Sequence, residues 1–298
     1  MQRASCPPAA ADVRFEVLPL GRSEEEAAEL PEPVRLTVTC SPKHGPDRSV
    51  QVGARLHAMG HEVTVHVAAR MVRDRAHADE LLAAMRTAGV DDVFLIGGDA
   101  DPPLGDYGSA VELLPVLAQH PDRPRTIGVA GYPEGHPLIE PVALNRALSE
   151  KSRLADYVTT QLCFDPDALT RWIGEQRAAG MLLPVVIGMP GAVSAARLLE
   201  MSARIGVGPS MAFVRKQRGL RSLLGPFRRS EPDRLHAALA PQVGDPQLGV
   251  AGFHYFTFNQ LRATYEWQRA RCPPQPAGRR SAGEPAARGY VQPKESKT

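Results

Sequence analysis

Residues 62–98 read EVTVHVAARMVRDRAHADELLAAMRTAGVDDVFLIGG, and the reading of this stretch decides the fold. It begins with an apolar, β-branched run (62–68) and ends with another (92–98). Between them, residues 77–88 carry apolar side chains at helical spacing. Strand, helix and strand in such a short span make a βαβ unit, whose crossover sets the two strands parallel.

The same alternation continues in both directions. Strand-like segments fall at RFEVLP (14–19), VRLTVTC (34–40), EVTVHVA (62–68), DVFLIGG (92–98), TIGVAGY (126–132), YVTTQLCF (157–164), LPVVIGM (183–189) and GVAGFHYFT (249–257). Helical patterns lie between them at SEEEAAEL (23–30), 48–59, 77–88, SAVELLPVLAQ (109–119), 141–153, DPDALTRWIGEQRAAG (165–180) and GAVSAARLLEMSARIG (191–206). In the sixth, Asp165 is the expected N-cap, Pro166 opens the first turn and Gly180 follows the end. Eight strands alternating with helices point to an α/β protein of the (β/α)8 TIM-barrel class in a single domain. The competing architecture is an open doubly wound sheet, which the absence of a G-x-G-x-x-G after the first strand weakens. The expected limits are a disordered N-terminal tail at 1–12, a barrel at 13–271 and a disordered tail at 272–298, since both ends are too polar or too Pro- and Gly-rich to build a core. The long 205–248 segment, with the basic run VRKQRGLRSLLGPFRRSEPDRL, reads as an elaborated seventh connection with a solvated face.

Composition narrows the partner. The 298 residues hold 35 Lys and Arg against 33 Asp and Glu, a net charge of +2 spread along the chain, which favours a small-molecule partner over nucleic acid or an anionic membrane. No apolar run has the length of a membrane span and MQRASCPPAAADVR lacks the core of a secretory signal, so the expectation is a cytoplasmic protein. Cys6, Cys40, Cys163 and Cys272 are scattered without a CxxC pair, against both a zinc ribbon and a disulfide framework. No metal is expected either, because no HExxH, EF-hand loop or facial His/His/carboxylate spacing occurs.

In such a barrel the chemistry sits where the strands end at their C-terminal side. Polar residues fall there strand after strand: Glu16, Thr39, His66, Asp99, the GYPEGHP segment (131–137), Gln161 and HYFTFN (254–259). Glu16 is flanked by Phe15 and Val17, the apolar setting that suits a general acid.

Taken in order, FEVLP (15–19), LIGGDADPP (95–103), GVAGYPEGHP (128–137), TTQLCFD (159–165) and FHYFTFN (253–259) resemble the signatures of the methylenetetrahydrofolate reductase family, flavin-dependent (β/α)8 barrels of one-carbon metabolism. The likeness runs from Phe15 to Tyr265. It implies that Glu16 is the acid that protonates a folate nitrogen and opens the five-membered ring. It implies further that Asp99 binds the pterin and takes part in catalysis, that Gln161 helps hold the pterin, and that Gln260 stands at a substrate-tail position. FAD contacts map to Thr39, His66, Gly98, Asp99, Tyr107, Tyr132, His136 and Lys151, with NAD(P)H as hydride donor, a reduced folate as partner, and a homo-oligomer left open. Three departures accompany the likeness. Gly97 replaces an Arg that holds the flavin diphosphate, apolar residues around Leu144 replace an acidic position, and Gln260 replaces an Arg that contacts the folate tail. The expected activity is reduction of 5,10-methylenetetrahydrofolate to 5-methyltetrahydrofolate, with or without flavin. The alternatives are a related tetrahydrofolate or methyl-group enzyme of one-carbon catabolism, and a non-catalytic folate- or flavin-binding protein.

Overall fold

A computed structural model describes residues 11–193 and 230–271. In chain order the elements are β1 (Asp12–Val17), α1 (Ser23–Ala28), β2 (Arg35–Val38), α2 (Gly45–Ala58), β3 (Glu62–Ala68), α3 (Arg75–Ala88), β4 (Asp92–Ile96) and α4 (Ala110–Ala118). They continue with β5 (Thr126–Gly131), α5 (Pro141–Lys151), β6 (Tyr157–Thr160), α6 (Pro166–Ala178), β7 (Val185–Pro190), α7 (Ser230–Leu239), β8 (Val250–Phe256) and α8 (Leu261–Arg271). The strands pair in sequence order, all parallel, and β1 pairs with β8 to close a barrel. This is the (β/α)8 TIM barrel, and the open sheet is excluded. Residues 1–10, 194–229 and 272–298, which hold nearly all of the two tails, most of the 191–206 helix and most of the basic run of the seventh connection, lie outside the described residues.

Strand alternation makes two cores from one sheet. Side chains facing outward, such as Phe15, Val17, Leu36, Val38, Val65 and Leu95, join helix residues such as Leu56, Leu82, Leu113 and Ile173 in the main core. Those facing inward form a smaller cluster drawn from strands alone: Phe94, Ala130, Tyr157 and Val186, with Ile96, Tyr132 and Ala251 against them. A Cβ on Gly128 would come within 2.2 Å of the Tyr157 ring, so the lumen accepts that ring because the neighbouring strand has no side chain there.

A charged network seals the N-terminal end. The Arg14 guanidinium meets Asp12 at 2.7 Å and Asp92 at 3.4 Å and lies 4.1 Å over the Tyr157 ring. Asp92 accepts from Thr64 Oγ1 at 2.7 Å and Tyr157 Oη at 3.0 Å, and Arg35 caps Asp12 at 2.6 Å. Burial raises the Asp92 carboxyl against the pull of Arg14. Burial would do the same to Asp12, but its hydrogen bond and charge pairing with Arg14, joined by Arg35, hold it below the usual carboxylate range.

Helix ends follow the sequence closely. Asp165 accepts from Asp167 N and Ala168 N at the start of α6, and Gly180 beyond its end has φ +91°. Strand ends shift. β1 begins at Asp12, inside the expected tail, because that carboxylate belongs to the floor network. β6 stops at Thr160, which puts Gln161 just past the strand rather than within it.

Asp92→Ala should leave Arg14 half-paired and orphan two hydroxyls. The expected loss is about 3 kcal/mol and a Tm drop on the order of 10 °C, with a smaller loss for Asp92→Asn, which keeps hydrogen-bonding atoms. Thermal unfolding followed by circular dichroism measures both, and an unchanged Tm in Asp92→Ala would mean the floor contributes no stability.

Candidate active site

One layer above the floor, the lumen turns polar. Glu16 on β1 points inward, because Phe15 and Val17 on either side of it face the helices. The apolar flanks in the sequence are therefore not the surroundings of this carboxyl. Its neighbours are two imidazoles: His254 Nε2 lies 3.2 Å from Glu16 Oε2 and His66 Nε2 lies 3.9 Å from the same oxygen. Burial, with His254 adding to it, pushes the His66 imidazole down to about 3, so that ring is neutral across the physiological range. His254 stood unassigned in the HYFTFN run. Its signal was parity, since His254 and Phe256 share one face of β8 and Phe256 pairs with Glu16 in register.

At the rim, β4 ends at Ile96 and the chain turns through Gly97 and Gly98. Gly98 has φ +87°, and a Cβ there would sit 2.9 Å from that of Ala68, so two constraints favour glycine. Asp99 follows, exposed, and its charge is felt by both Tyr132 and His136. Burial and then Asp99 push the Tyr132 phenol up to about 12, while burial lowers His136 against the pull of Asp99. The two rings meet edge to face with centroids 5.3 Å apart. Asp99, Tyr132 and His136 thus gather on one side of the mouth.

Three residues without an assigned role hold the surrounding loops. Arg70 donates to Ala100 O at 2.6 Å and Gly108 O at 3.1 Å and pairs with Asp101 at 3.0 Å, fixing the loop that carries Asp99. Glu134 accepts from Phe164 N at 3.1 Å and Asp165 N at 2.9 Å, tying the β5 loop to the segment after Gln161. Asn259 accepts from Leu18 N at 2.8 Å and donates to Leu20 O at 2.7 Å, joining the ends of β8 and β1. Each works through backbone atoms across a long sequence separation, which leaves no local signal.

The remaining candidates scatter. Gln161 is exposed just beyond β6, its Oε1 accepting from Leu162 N at 2.8 Å. Thr39 follows β2, with Oγ1 buried and unpartnered. Tyr107 sits among Asp106, Arg75, Asp74 and Asp79 near the start of α3. Gln260 immediately precedes α8, its backbone N–H donating to Thr257 O at 2.9 Å. Lys151 is buried, with Nζ donating to Ala130 O at 3.1 Å, and burial pushes its ammonium down to about 8. Among the described residues no group of three or more His, Cys, Asp and Glu is arranged to hold a metal ion, and no helix is long and apolar enough to cross a membrane.

This is a (β/α)8 barrel with a buried carboxylate in its lumen and a second, exposed one at its rim. A family model described as methylenetetrahydrofolate reductase matches residues 26–209, more than half of the chain, and the chain belongs to that family. Among curated relatives, methylenetetrahydrofolate reductase (NADH) 1 of Arabidopsis thaliana is 26% identical over 60% of this chain and 30% of its own length. Methylenetetrahydrofolate reductase 2 of Saccharomyces cerevisiae is 31% identical over 37% of this chain and 20% of its own length, so the matches span under a third of either relative. A solved structure titled as an uncharacterized Clostridium thermocellum protein binding two copies of 5-methyl-5,6,7,8-tetrahydrofolic acid superposes with a TM-score of 0.59. It covers 88% of this chain and 94% of that one at 11% identity, a likeness of fold.

The family implies a flavin, and the residues meet it halfway. Asp99, Tyr132 and His136 offer polar groups suited to a flat ring, beside a loop in which Gly97 leaves open space. Among the positions that the likeness marks, none offers the diphosphate a free cation. Gly97 offers empty space and no charge, Arg70 spends its donors on its own loop, and Lys151 turns into the wall. Those positions do not fit the diphosphate, and no step below runs through the cofactor.

Lys151 yields a pH prediction. Its folded value of about 8 lies below the ordinary 10.5, so between those values the unfolded chain binds the extra proton and stability rises with pH across the window. Below it, keeping the charge buried costs about 3 kcal/mol. Lys151→Met should therefore show a flatter stability-against-pH curve from pH 8 to 10.5 in denaturant titrations, and an unchanged slope would place the ammonium in solvent.

Proposed function

We propose that the chain reduces 5,10-methylenetetrahydrofolate to 5-methyltetrahydrofolate with NAD(P)H as hydride donor. The observation that carries this reading is the Glu16 carboxyl, buried in the lumen of a barrel of this family with His254 3.2 Å from one oxygen. In the acid form Glu16 protonates N10 of the folate. The bond from N10 to the methylene carbon breaks, and the five-membered ring opens to an iminium at N5. Hydride from the nicotinamide adds to the methylene carbon, giving the N5-methyl product and NAD(P)+. One proton and one hydride enter, and the reaction balances. Asp99 accepts hydrogen bonds from the pterin's amino face, and Gln161, exposed past the end of β6, is a further polar group at the same end of the barrel. Two carboxylates in unlike surroundings, one buried against imidazoles and one exposed, can take unlike roles.

Purified full chain mixed with NADH or NADPH and the folate should lose reduced-nicotinamide absorbance and form 5-methyltetrahydrofolate. Glu16→Gln should slow this by about 10²–10⁴-fold, and Asp99→Asn should raise the folate KM about tenfold or more. A wild-type rate in Glu16→Gln rejects the assigned acid. Folate binding without hydride transfer from either nicotinamide would favour the non-catalytic alternative. The purified protein should also lack stoichiometric flavin bands, and one tightly held FAD per chain would overturn the diphosphate argument.

A further inference from the structure

His66, implied by family likeness as a cofactor contact, lies inside the lumen with its side chain 7% exposed. Its Nε2 has no hydrogen-bond partner, and two more buried atoms near the same carboxylate share that state: Thr37 Oγ1, on the strand residue paired with Glu16, and His254 Nδ1. A buried polar atom left unpaired costs about 1–3 kcal/mol, and polar atoms gathered in one interior space are the setting that ordered water fills. The 3.9 Å from His66 Nε2 to Glu16 Oε2 is too long for a direct hydrogen bond, but one water can reach both atoms.

The orientation of the carboxyl gives this arrangement a purpose. Both imidazoles face Oε2, and no described residue donates to Oε1. If Oε2 is held by donors from within, the acid proton belongs on Oε1. We propose that His66 is a positioning residue for Glu16: with Thr37 it holds a water against Oε2, so that the carboxyl's transferable proton sits on Oε1, the oxygen neither imidazole faces.

The inference rests on the reading of Glu16 as the acid. A folate seated in the mouth covers the outer side, and the Arg14–Asp92 floor closes the inner end, so the hydrogen bonds that orient Glu16 during turnover are those of the lumen. The groups facing His66 are Glu16 from β1, Phe94 from β4 and His254 from β8, with Thr37 of β2 paired in register with Glu16 and Arg14 and Asp92 a layer deeper. Its neutral ring supplies a dipole and a hydrogen-bonding nitrogen without adding a charge.

The test combines kinetics with a measurement that needs no turnover. His66→Leu should lower kcat about ten- to a hundredfold, the scale of a misplaced catalytic group, and shift the pH profile of kcat while leaving the KM for folate and nicotinamide within about twofold. His66→Gln, which restores a donor near Nε2, should recover part of the rate. In 15N-histidine NMR of the full chain, the His66 ring should report the neutral form and change its nitrogen signals in both Glu16→Gln and Thr37→Val. A cofactor contact predicts the opposite kinetic pattern, a raised nicotinamide KM or lost flavin with an unmoved pH profile, and that result overturns the proposal. His66 signals indifferent to both substitutions overturn it as well, even if no turnover is found. Absence of turnover in the wild type would count instead against the reductase reading.

Discussion

The seam between β1 and β8 is the contact on which the rest depends. A parallel sheet becomes a barrel only if its last strand finds its first, and here the closing strands are locked at their upper ends by side chains that bond backbone. Asn259 bridges Leu18 and Leu20, and Thr257 donates to the carbonyl of Glu16 at 2.5 Å. Phe258 and Asn259 hold φ values of +48° and +57°, a conformation costly for a phenylalanine and retained where the surroundings enforce it. The contact between Glu16 and His254 crosses the same seam. Closing the barrel and setting the carboxyl are therefore one event, and an open sheet would leave Glu16 without its partner.

The lumen then divides by the completeness of its hydrogen bonding. At the floor, Arg14, Asp12, Asp92, Thr64 and Tyr157 pair with one another and with Arg35, and the network stabilises without leaving much for a ligand. One layer up, Thr37, His66 and His254 each keep a buried atom unpartnered around a carboxyl. Proteins depart from full satisfaction chiefly where function asks for it. Above that layer the rim presents Asp99 on a loop that Arg70 ties through the carbonyls of Ala100 and Gly108, so the exposed carboxylate is placed by its loop and the buried one by the barrel itself.

Much of the architecture was legible in the chain because period-two and helical patterns are local and repeat. The Asp165 cap, Pro166 in the first turn of α6 and Gly180 past its end all belong to that kind of information. The site was legible as residue types near strand ends, and less so as neighbours. Phe15 and Val17 border Glu16 in sequence and face away from it in space. Gln161 sat within an apolar run, yet β6 ends one residue before it. Lys151 and Tyr107 stand at the right places along the chain but turn into the wall and towards α3. Arg70, Glu134 and Asn259 act on backbone atoms of distant loops, which no spacing rule records.

The sequence by itself determined the number of strands, their parallel order and the end of the barrel at which polar groups collect, since each follows from short-range periodicity and crossover geometry. Only the tertiary structure decided which of those groups meet. Closure brings β8 beside β1 across the whole length of the chain, and strand parity then sends His66 and His254 to one oxygen of Glu16 while the residues adjacent to it in sequence serve the outer core.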